Sequence, residues 1–225
     1  MIIAIDGPSG AGKSTLGKML AKKLGLLYLD TGAMYRAVAL ASVRADADLE
    51  DEARVASIAE EAKIDLVGEP DLLKVFLDGD DVTTEIRTLG IAQAASVVST
   101  NSDVRKVMVR HQREIGNAAR NGCVLEGRDI GSVVFPDADI KFFLTAKPEA
   151  RARRRFEEDK AKGRISTYEQ TLAEINQRDE RDVSRADSPL TIPADAVVID
   201  TSDLDLAEVF EAMLGKINDQ KASAA

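Results

Sequence analysis

Gly7-Pro8-Ser9-Gly10-Ala11-Gly12-Lys13-Ser14-Thr15 fits the spacing G-x-x-x-x-G-K-[ST]. Glycines at this spacing let backbone N–H groups converge on an anion, and a helix opening behind them adds partial positive charge. Lys13 can then reach β- and γ-phosphates, and the Ser14 hydroxyl can ligate Mg²⁺, so the segment reads as a site for a nucleoside triphosphate. The context this requires is present. The apolar run Ile2 to Ile5 precedes the loop, and Leu16, Met19, Leu20 and Leu24, closed by Gly25, give the residues behind it a helical period. A glycine-rich turn that merely joins strand to helix is the competing reading. Composition alone produces the pattern in about one chain in a hundred of this length, and the flanking periodicity makes chance rarer still.

The loop leaves open what receives the phosphate. Asp30-Thr31-Gly32-Ala33-Met34-Tyr35-Arg36 follows the apolar run Leu26 to Leu29, and Glu126-Gly127-Arg128-Asp129-Ile130-Gly131 follows Cys123 to Leu125. Parallel strands would deliver both polar clusters to the sheet edge that carries the phosphate loop. Further on, Arg178, Asp182 and Arg185 fall at i, i+4 and i+7 and share one face if the helix continues that far. Glu174, four residues before Arg178, supports a purely structural alternative, a helix laced by opposite charges. Arg151, Arg153, Arg154 and Arg155 form a second basic patch, and the two patches suggest a flap that closes over polyphosphate. Phosphoryl transfer uses such equipment, because positioning and charge neutralisation carry most of its catalysis. A phosphate-monoester acceptor has a second pKa near ~6 and is already largely dianionic at neutral pH, so no general base is needed. The sole histidine, His111, reads as a surface residue. A hydroxyl acceptor would instead call for an Asp or Glu base.

The elements that must hold these groups are legible as five short apolar runs: Ile2 to Ile5, Leu26 to Leu29, Cys123 to Leu125, Ile140 to Leu144 and Ala196 to Ile199. They alternate with helical patterns, which predicts an α/β fold with a five-stranded parallel sheet flanked by helices. One stretch departs from the rhythm. Ile64 to Val82, with Asp78-Gly79 as a hairpin signal, reads as a small β insertion between helices near 50–63 and 91–98. Further helices are expected at 104–119, 147–162 and 167–182, and the 221–225 tail is expected to fray. Across 225 residues, 30 Lys and Arg against 39 Asp and Glu give a net charge of −9, which argues against a general nucleic-acid or membrane-surface binder. A single cysteine, Cys123, excludes an intrachain disulfide. With neither a secretory signal pattern nor an apolar run of the ~20 residues that cross a bilayer, the cytoplasm is the expected compartment.

Taken together the motifs resemble the bacterial-type cytidylate kinases, a family of nucleoside-monophosphate kinases. The resemblance runs from Ile2 to about Leu214. It rests on the phosphate loop, Asp30 to Arg36, Glu85-Ile86-Arg87-Thr88, Ala94-Ala95-Ser96, Gly127-Arg128-Asp129, Val133-Val134-Phe135-Pro136-Asp137 and Arg178 to Arg185. It implies a P-loop core (about 1–30, 120–148 and 190–218), a monophosphate-binding part (about 31–119, with its insertion at about 63–84) and an arginine-rich flap (about 149–189). The implied reaction is transfer from ATP, with Mg²⁺, to CMP or dCMP, and the chain is expected to act as a monomer. By position, Lys13, Arg128, Asp129 and Arg185 would carry catalysis. Arg36, Arg128 and Arg185 would hold the CMP phosphate, with Thr31 and Tyr35 beside them. Ser96, Arg105 and Asp129 would read cytosine, while Arg178 and Asp182 would meet the sugar and phosphates. Ser14 is the expected metal ligand, with Glu126 or Asp129 acting through water, and Thr201-Ser202-Asp203 is where adenine would rest. A carboxylate such as Asp129 complements the N4 amino group of cytosine and opposes the carbonyl that uracil has there, so CMP is expected over UMP. Another P-loop small-molecule kinase, or a P-loop switch without an acceptor site, are the alternatives.

Overall fold

The computed structural model describes residues 1–161, 163 and 165–223. Strands β1 (Ile2–Asp6), β2 (Leu27–Asp30), β6 (Cys123–Gly127), β7 (Ile140–Thr145) and β8 (Val197–Asp200) form one parallel sheet in the order β2-β6-β1-β7-β8. The inner strands are apolar on both faces because both faces are covered. Ile3 and Ile5 pack with Leu16 and Leu20 of α1 (Lys13–Leu24) and with Val209 and Met213 of α8 (Leu206–Ser223). Ala4 and Leu125 face the other way, onto Met34 and Val38 of α2 (Thr31–Arg44) and Val104 and Met108 of α5 (Ser102–Ala118). The expected fold class is present. Helix α8 runs through Ser223, so Lys221, Ala222 and Ser223 continue a helix where the sequence suggested a fraying tail. Ala224 and Ala225 lie outside the described residues.

Helices α3 (Glu52–Glu61) and α4 (Leu89–Val98) flank the insertion, a three-stranded antiparallel sheet of β3 (Ile64–Val67), β4 (Lys74–Leu77) and β5 (Asp80–Asp81). Asp78 and Gly79 turn the β4–β5 hairpin with φ of +52° and +94°, the double left-handed geometry that an Asp-Gly pair favours. The insertion also reaches the main core. Leu73 is buried in the cluster that contains Leu20 and Tyr28, and Lys22 of α1 meets Asp71 at 2.5 Å.

The charged segments form α6 (Pro148–Ala161) and α7 (Tyr168–Ser184), which pack on each other. A capping box closes the start of α7, Thr167 accepting from the Gln170 N–H and Gln170 accepting from the Thr167 N–H. Lys162 and Arg164, inside the expected flap, lie outside the described residues. The helix stops at Ser184, and Arg185 leaves it with ψ of 136°, so the expected i+7 face ends one residue short.

Candidate active site

A cleft of about 910 Å³ runs along the carboxyl edge of the parallel sheet. Its floor is the loop between β1 and α1. Gly7 has φ of +143°, and a Cβ there would stand 2.0 Å from the Leu144 carbonyl oxygen, so this crossing of β7 requires glycine. Gly12 is left-handed at the head of α1. Residues 9–15 line the cleft, whereas Gly7 and Pro8 are buried under it and shape the loop without reaching the surface. The Lys13 ammonium curls over the loop and donates to the Pro8 carbonyl at 2.8 Å. Burial, and then the Arg128 guanidinium, push Lys13 down to about 7, the condition of a cation that lacks its anion.

One wall starts at Asp30. Its carboxylate caps α2 by accepting from the Ala33 N–H at 2.8 Å and holds Arg36 Nη2 at 3.0 Å. The Thr31 hydroxyl donates to the Glu126 carbonyl at 2.6 Å, tying the mouth of β2 to β6. The Glu126 carboxylate is buried and accepts from the Tyr28 hydroxyl. Burial, together with the nearby Asp30 charge, raises its pKa, while Lys13 and the Ser14 hydroxyl act in the opposite direction.

Asp6, at the end of β1, carries no motif and is a residue that sequence reasoning missed. Its carboxylate accepts from the Ile130 N–H at 2.8 Å and the Gly131 N–H at 2.7 Å, pinning a single π turn over Ile130–Val134. That turn fixes the preceding Arg128 and Asp129. Burial pushes Asp6 up to about 6 against the pull of those two N–H groups.

The arginines converge above this turn. Arg105 Nη2 meets Asp129 Oδ2 at 2.5 Å with both side chains buried, and the guanidinium carbon sits 5.6 Å from the Tyr35 ring centre. Arg128 Nε donates to Asp182 Oδ2 at 2.7 Å, and Arg185 Nη2 lies 3.9 Å from Asp182 Oδ1. Burial alone would raise Asp182, but Arg128, Arg178 and Arg185 hold it below the usual carboxylate range. Arg178 lines the cleft and is pushed down to about 10 by burial and then by Arg128. Even so, Nε of Arg36, Nε of Arg105, and Nε and Nη2 of Arg185 are buried without a hydrogen-bond acceptor. Unpaired buried donors are costly, and these sit on residues that line the cleft.

Several expected residues stand elsewhere. Ser96 does not line the cleft. Its hydroxyl accepts from Arg181 at 3.3 Å, and Ala95 and Ser99 of the same segment face the space instead. Arg87, from the turn before α4, also lines the cleft. Asp129 is occupied by Arg105, which leaves Glu126 as the carboxylate beside Ser14. Arg151 is structural: it is buried, forks onto Asp179 at 3.1 and 2.5 Å, and donates to the Ser9 carbonyl. Arg153 is exposed outside the cleft, while Arg154 and Arg155 line it. Arg154 donates to Thr201, and Leu204 and Leu206 line the space beside that pair, whereas Ser202 and Asp203 do not. His111 is half-buried on α5 and does not reach the cleft.

Residues 3–219 match the family described as cytidylate kinase. A cytidylate kinase of Caldanaerobacter subterraneus subsp. tengcongensis is 54% identical over 209 residues, covering 93% of this chain and 91% of that protein. One from Citrifermentans bemidjiense is 45% identical over 222 residues, covering 99% of this chain and 94% of the relative. Among solved structures, an uncharacterized protein from Eubacterium ventriosum superposes with a TM-score of 0.55 at 13% identity, over 97% of this chain and 98% of that one, a likeness of fold alone. No helix among the described residues is long and apolar enough to cross a membrane. With a phosphate loop, an arginine-lined cleft at the sheet edge and close relatives along nearly its whole length, the chain belongs to the cytidylate kinase family.

Proposed function

We propose that this protein transfers the γ-phosphoryl group of ATP to CMP and dCMP by in-line displacement. The observation that carries the reading is the set of buried, unpaired guanidinium N–H groups on Arg36, Arg105 and Arg185, next to a loop shaped for a triphosphate. An anionic acceptor with several oxygen acceptors satisfies them once the side chains turn toward it, and a protein switch without an acceptor site has no use for them. ATP lies along residues 9–15 with its phosphates on the loop N–H groups and Lys13, and its base lies near Arg154, Leu204 and Leu206. The CMP phosphate takes Arg36, Arg128 and Arg185. The base faces Asp129 and Arg105, Tyr35 bounds the same space, and Arg178 and Asp182 close over the sugar and phosphates.

The donor set fits Mg²⁺. Ser14 and Glu126 offer hard oxygen atoms, and the described residues contain no cluster of three or more His, Cys, Asp or Glu able to hold an ion alone. That composition suits a cation bound mainly through phosphates and water. Bound there, Mg²⁺ supplies charge neutralisation on the transferring phosphates. The protein's own contribution is alignment: Lys13 on the donor phosphates, Arg128 between donor and acceptor, and a dianionic acceptor oxygen that needs no base.

We assign residues 31–119 to monophosphate binding, 149–189 to a closing flap and the remainder to the core. A single chain supplies every group this scheme uses, so no second copy is needed to complete the site. Cys123, buried and pushed up to about 12 by that burial, is inert as a thiol and suits the cytoplasm. A coupled assay of ADP release over CMP, dCMP, UMP, AMP and shikimate tests the reading. Cytidine nucleotides are expected to lead by more than about a hundredfold over UMP, and preference for any other acceptor would overturn it.

A further inference from the structure

Glycine inside a helix is destabilising against alanine, and Gly17 in the second turn of α1 has no special backbone angle to justify it. Its neighbour does. A Cβ at Gly17 would stand 3.0 Å from Cε2 of Tyr28 and 3.6 Å from its Cδ2, so one edge of the phenol ring occupies the space that a side chain there would need. Lys18 covers the ring from 5.9 Å, and only 2% of Tyr28 is exposed.

The ring is aimed along the sheet. Tyr28 pairs in register with Val124 and Asp30 with Glu126, so Tyr28 and Glu126 are diagonal neighbours on the α1 face. The hydroxyl reaches that diagonal and donates to Glu126 Oε1 at 2.5 Å. Glu126 has a stronger partner near it: Lys13 is close enough to act on the carboxylate electrostatically. Yet among the described residues no Lys13–Glu126 ion pair forms within 4.0 Å, and Lys13 donates to the Pro8 carbonyl instead.

We propose that Tyr28 is a positioning residue for the phosphoryl transfer: its hydroxyl, seated over Gly17, turns the Glu126 carboxylate away from Lys13 and leaves that ammonium free for the triphosphate. A carboxylate released from the phenol would swing onto Lys13 and compete with phosphate oxygens for its donors. The inference rests on the kinase reading, because it concerns the ATP half of the cleft. Val124 and Ile5 pack in the same cluster as the ring, so removing only the oxygen leaves the core intact.

The test is a double-mutant cycle on the full chain, with ATP affinity read by calorimetry and steady-state kinetics measured alongside. Tyr28→Phe is expected to weaken ATP about tenfold, the loss of one hydrogen bond to a charged group, with KM for CMP unchanged. In a Glu126→Gln background the same change is expected to alter ATP affinity less than about twofold, since coupled partners are not additive. Equal losses in both backgrounds, parallel losses for ATP and CMP, or unchanged ATP affinity would each overturn the proposal. If Tyr28→Phe does not fold, Gly17→Ala carries the test. It improves helix propensity yet displaces the ring, so weakened ATP binding supports the positioning role and unchanged binding overturns it. Failure of the kinase reading is separable: the wild-type chain would then fail to phosphorylate CMP at all.

Discussion

Replacing Asp6 by Asn separates two roles of one buried carboxylate. The group is 1% exposed and accepts two backbone N–H bonds, at 2.8 and 2.7 Å, from the turn that follows Arg128 and Asp129. Asparagine keeps one acceptor and turns the other into a donor facing an N–H. One charge-assisted hydrogen bond, about 1.5–3 kcal/mol, is lost. Against this stands the cost of burying the charge. With the native pKa raised from 3.8 to about 6, ionisation at neutral pH opposes folding by about 3 kcal/mol. Because the pKa of about 6 already includes the pull of both N–H bonds, that cost is a net one, and Asp6→Asn, which resembles the protonated acid, is expected to match or exceed wild-type stability at pH 7. Activity is expected to fall all the same. A turn released at Ile130 and Gly131 misplaces Arg128 and Asp129, and kcat/KM for CMP should drop at least about tenfold, the worth of one such bond.

The pH dependence gives the sign. Because the native pKa is raised, the folded state holds the proton more tightly than the unfolded chain. The stabilisation from protonation is therefore full below the unfolded value of 3.8 and is lost as pH rises through about 6. Wild type should gain about 1 kcal/mol relative to Asp6→Asn on going from pH 7 to pH 5. Urea denaturation of both proteins at the two pH values measures this, with CMP kinetics at pH 7 beside it. A stability difference that does not change with pH, or a variant with wild-type kcat/KM, would refute the reasoning.

Asp129→Asn should lower the CMP-to-UMP ratio of kcat/KM by at least about tenfold, because an amide can donate to the uracil carbonyl that a carboxylate repels; an unchanged ratio in parallel kinetics would place the base elsewhere. Arg185→Ala should raise KM for CMP by about tenfold or more through the loss of a charge-assisted contact, and a variant with wild-type KM would remove that arginine from the acceptor site. Lys13, lowered to about 7 without its anion, should regain a proton when phosphates arrive, so ATP binding at pH 8 should take up close to one proton and at pH 6 much less. Calorimetry in two buffers of different ionisation enthalpy reads this, and equal uptake at both pH values would contradict it.

What could be read from the chain alone follows the range of the forces involved. The phosphate loop, the alternation of apolar runs and helices, and the Asp78-Gly79 hairpin are local patterns, and each is found where the sequence puts it. Ser96 stands off the cleft for a geometric reason. The sequence places α4 beside the cleft but not its rotation about its axis, and the lining serine is Ser99, one turn on. Arg185 lines the cleft beside Asp182 as the sequence suggested, but from just past the helix end, because periodicity runs past the end of a helix without marking it. Asp6 and Tyr28 gave no local signal, since their partners are 124 and 98 residues away. Gly17 could have been noticed: a glycine in a helix interior asks what presses against it.

The charge distribution follows from the same cleft. A net charge of −9 coexists with a cluster of buried and half-buried arginines because each of the principal ones has a carboxylate of its own: Asp30 for Arg36, Asp129 for Arg105, Asp182 for Arg128 and Asp179 for Arg151. Unpaired, such charges would be expelled from a protein interior. Paired on one side, they can be held inside the protein and still keep N–H donors that no protein acceptor has taken, as Arg36, Arg105 and Arg185 do. The carboxylates also fix where the cations point, which a solvated arginine would not. The acidic residues of the cleft are therefore part of its affinity for anions: they hold the guanidinium groups in place before the ligand arrives, so binding need not supply that ordering.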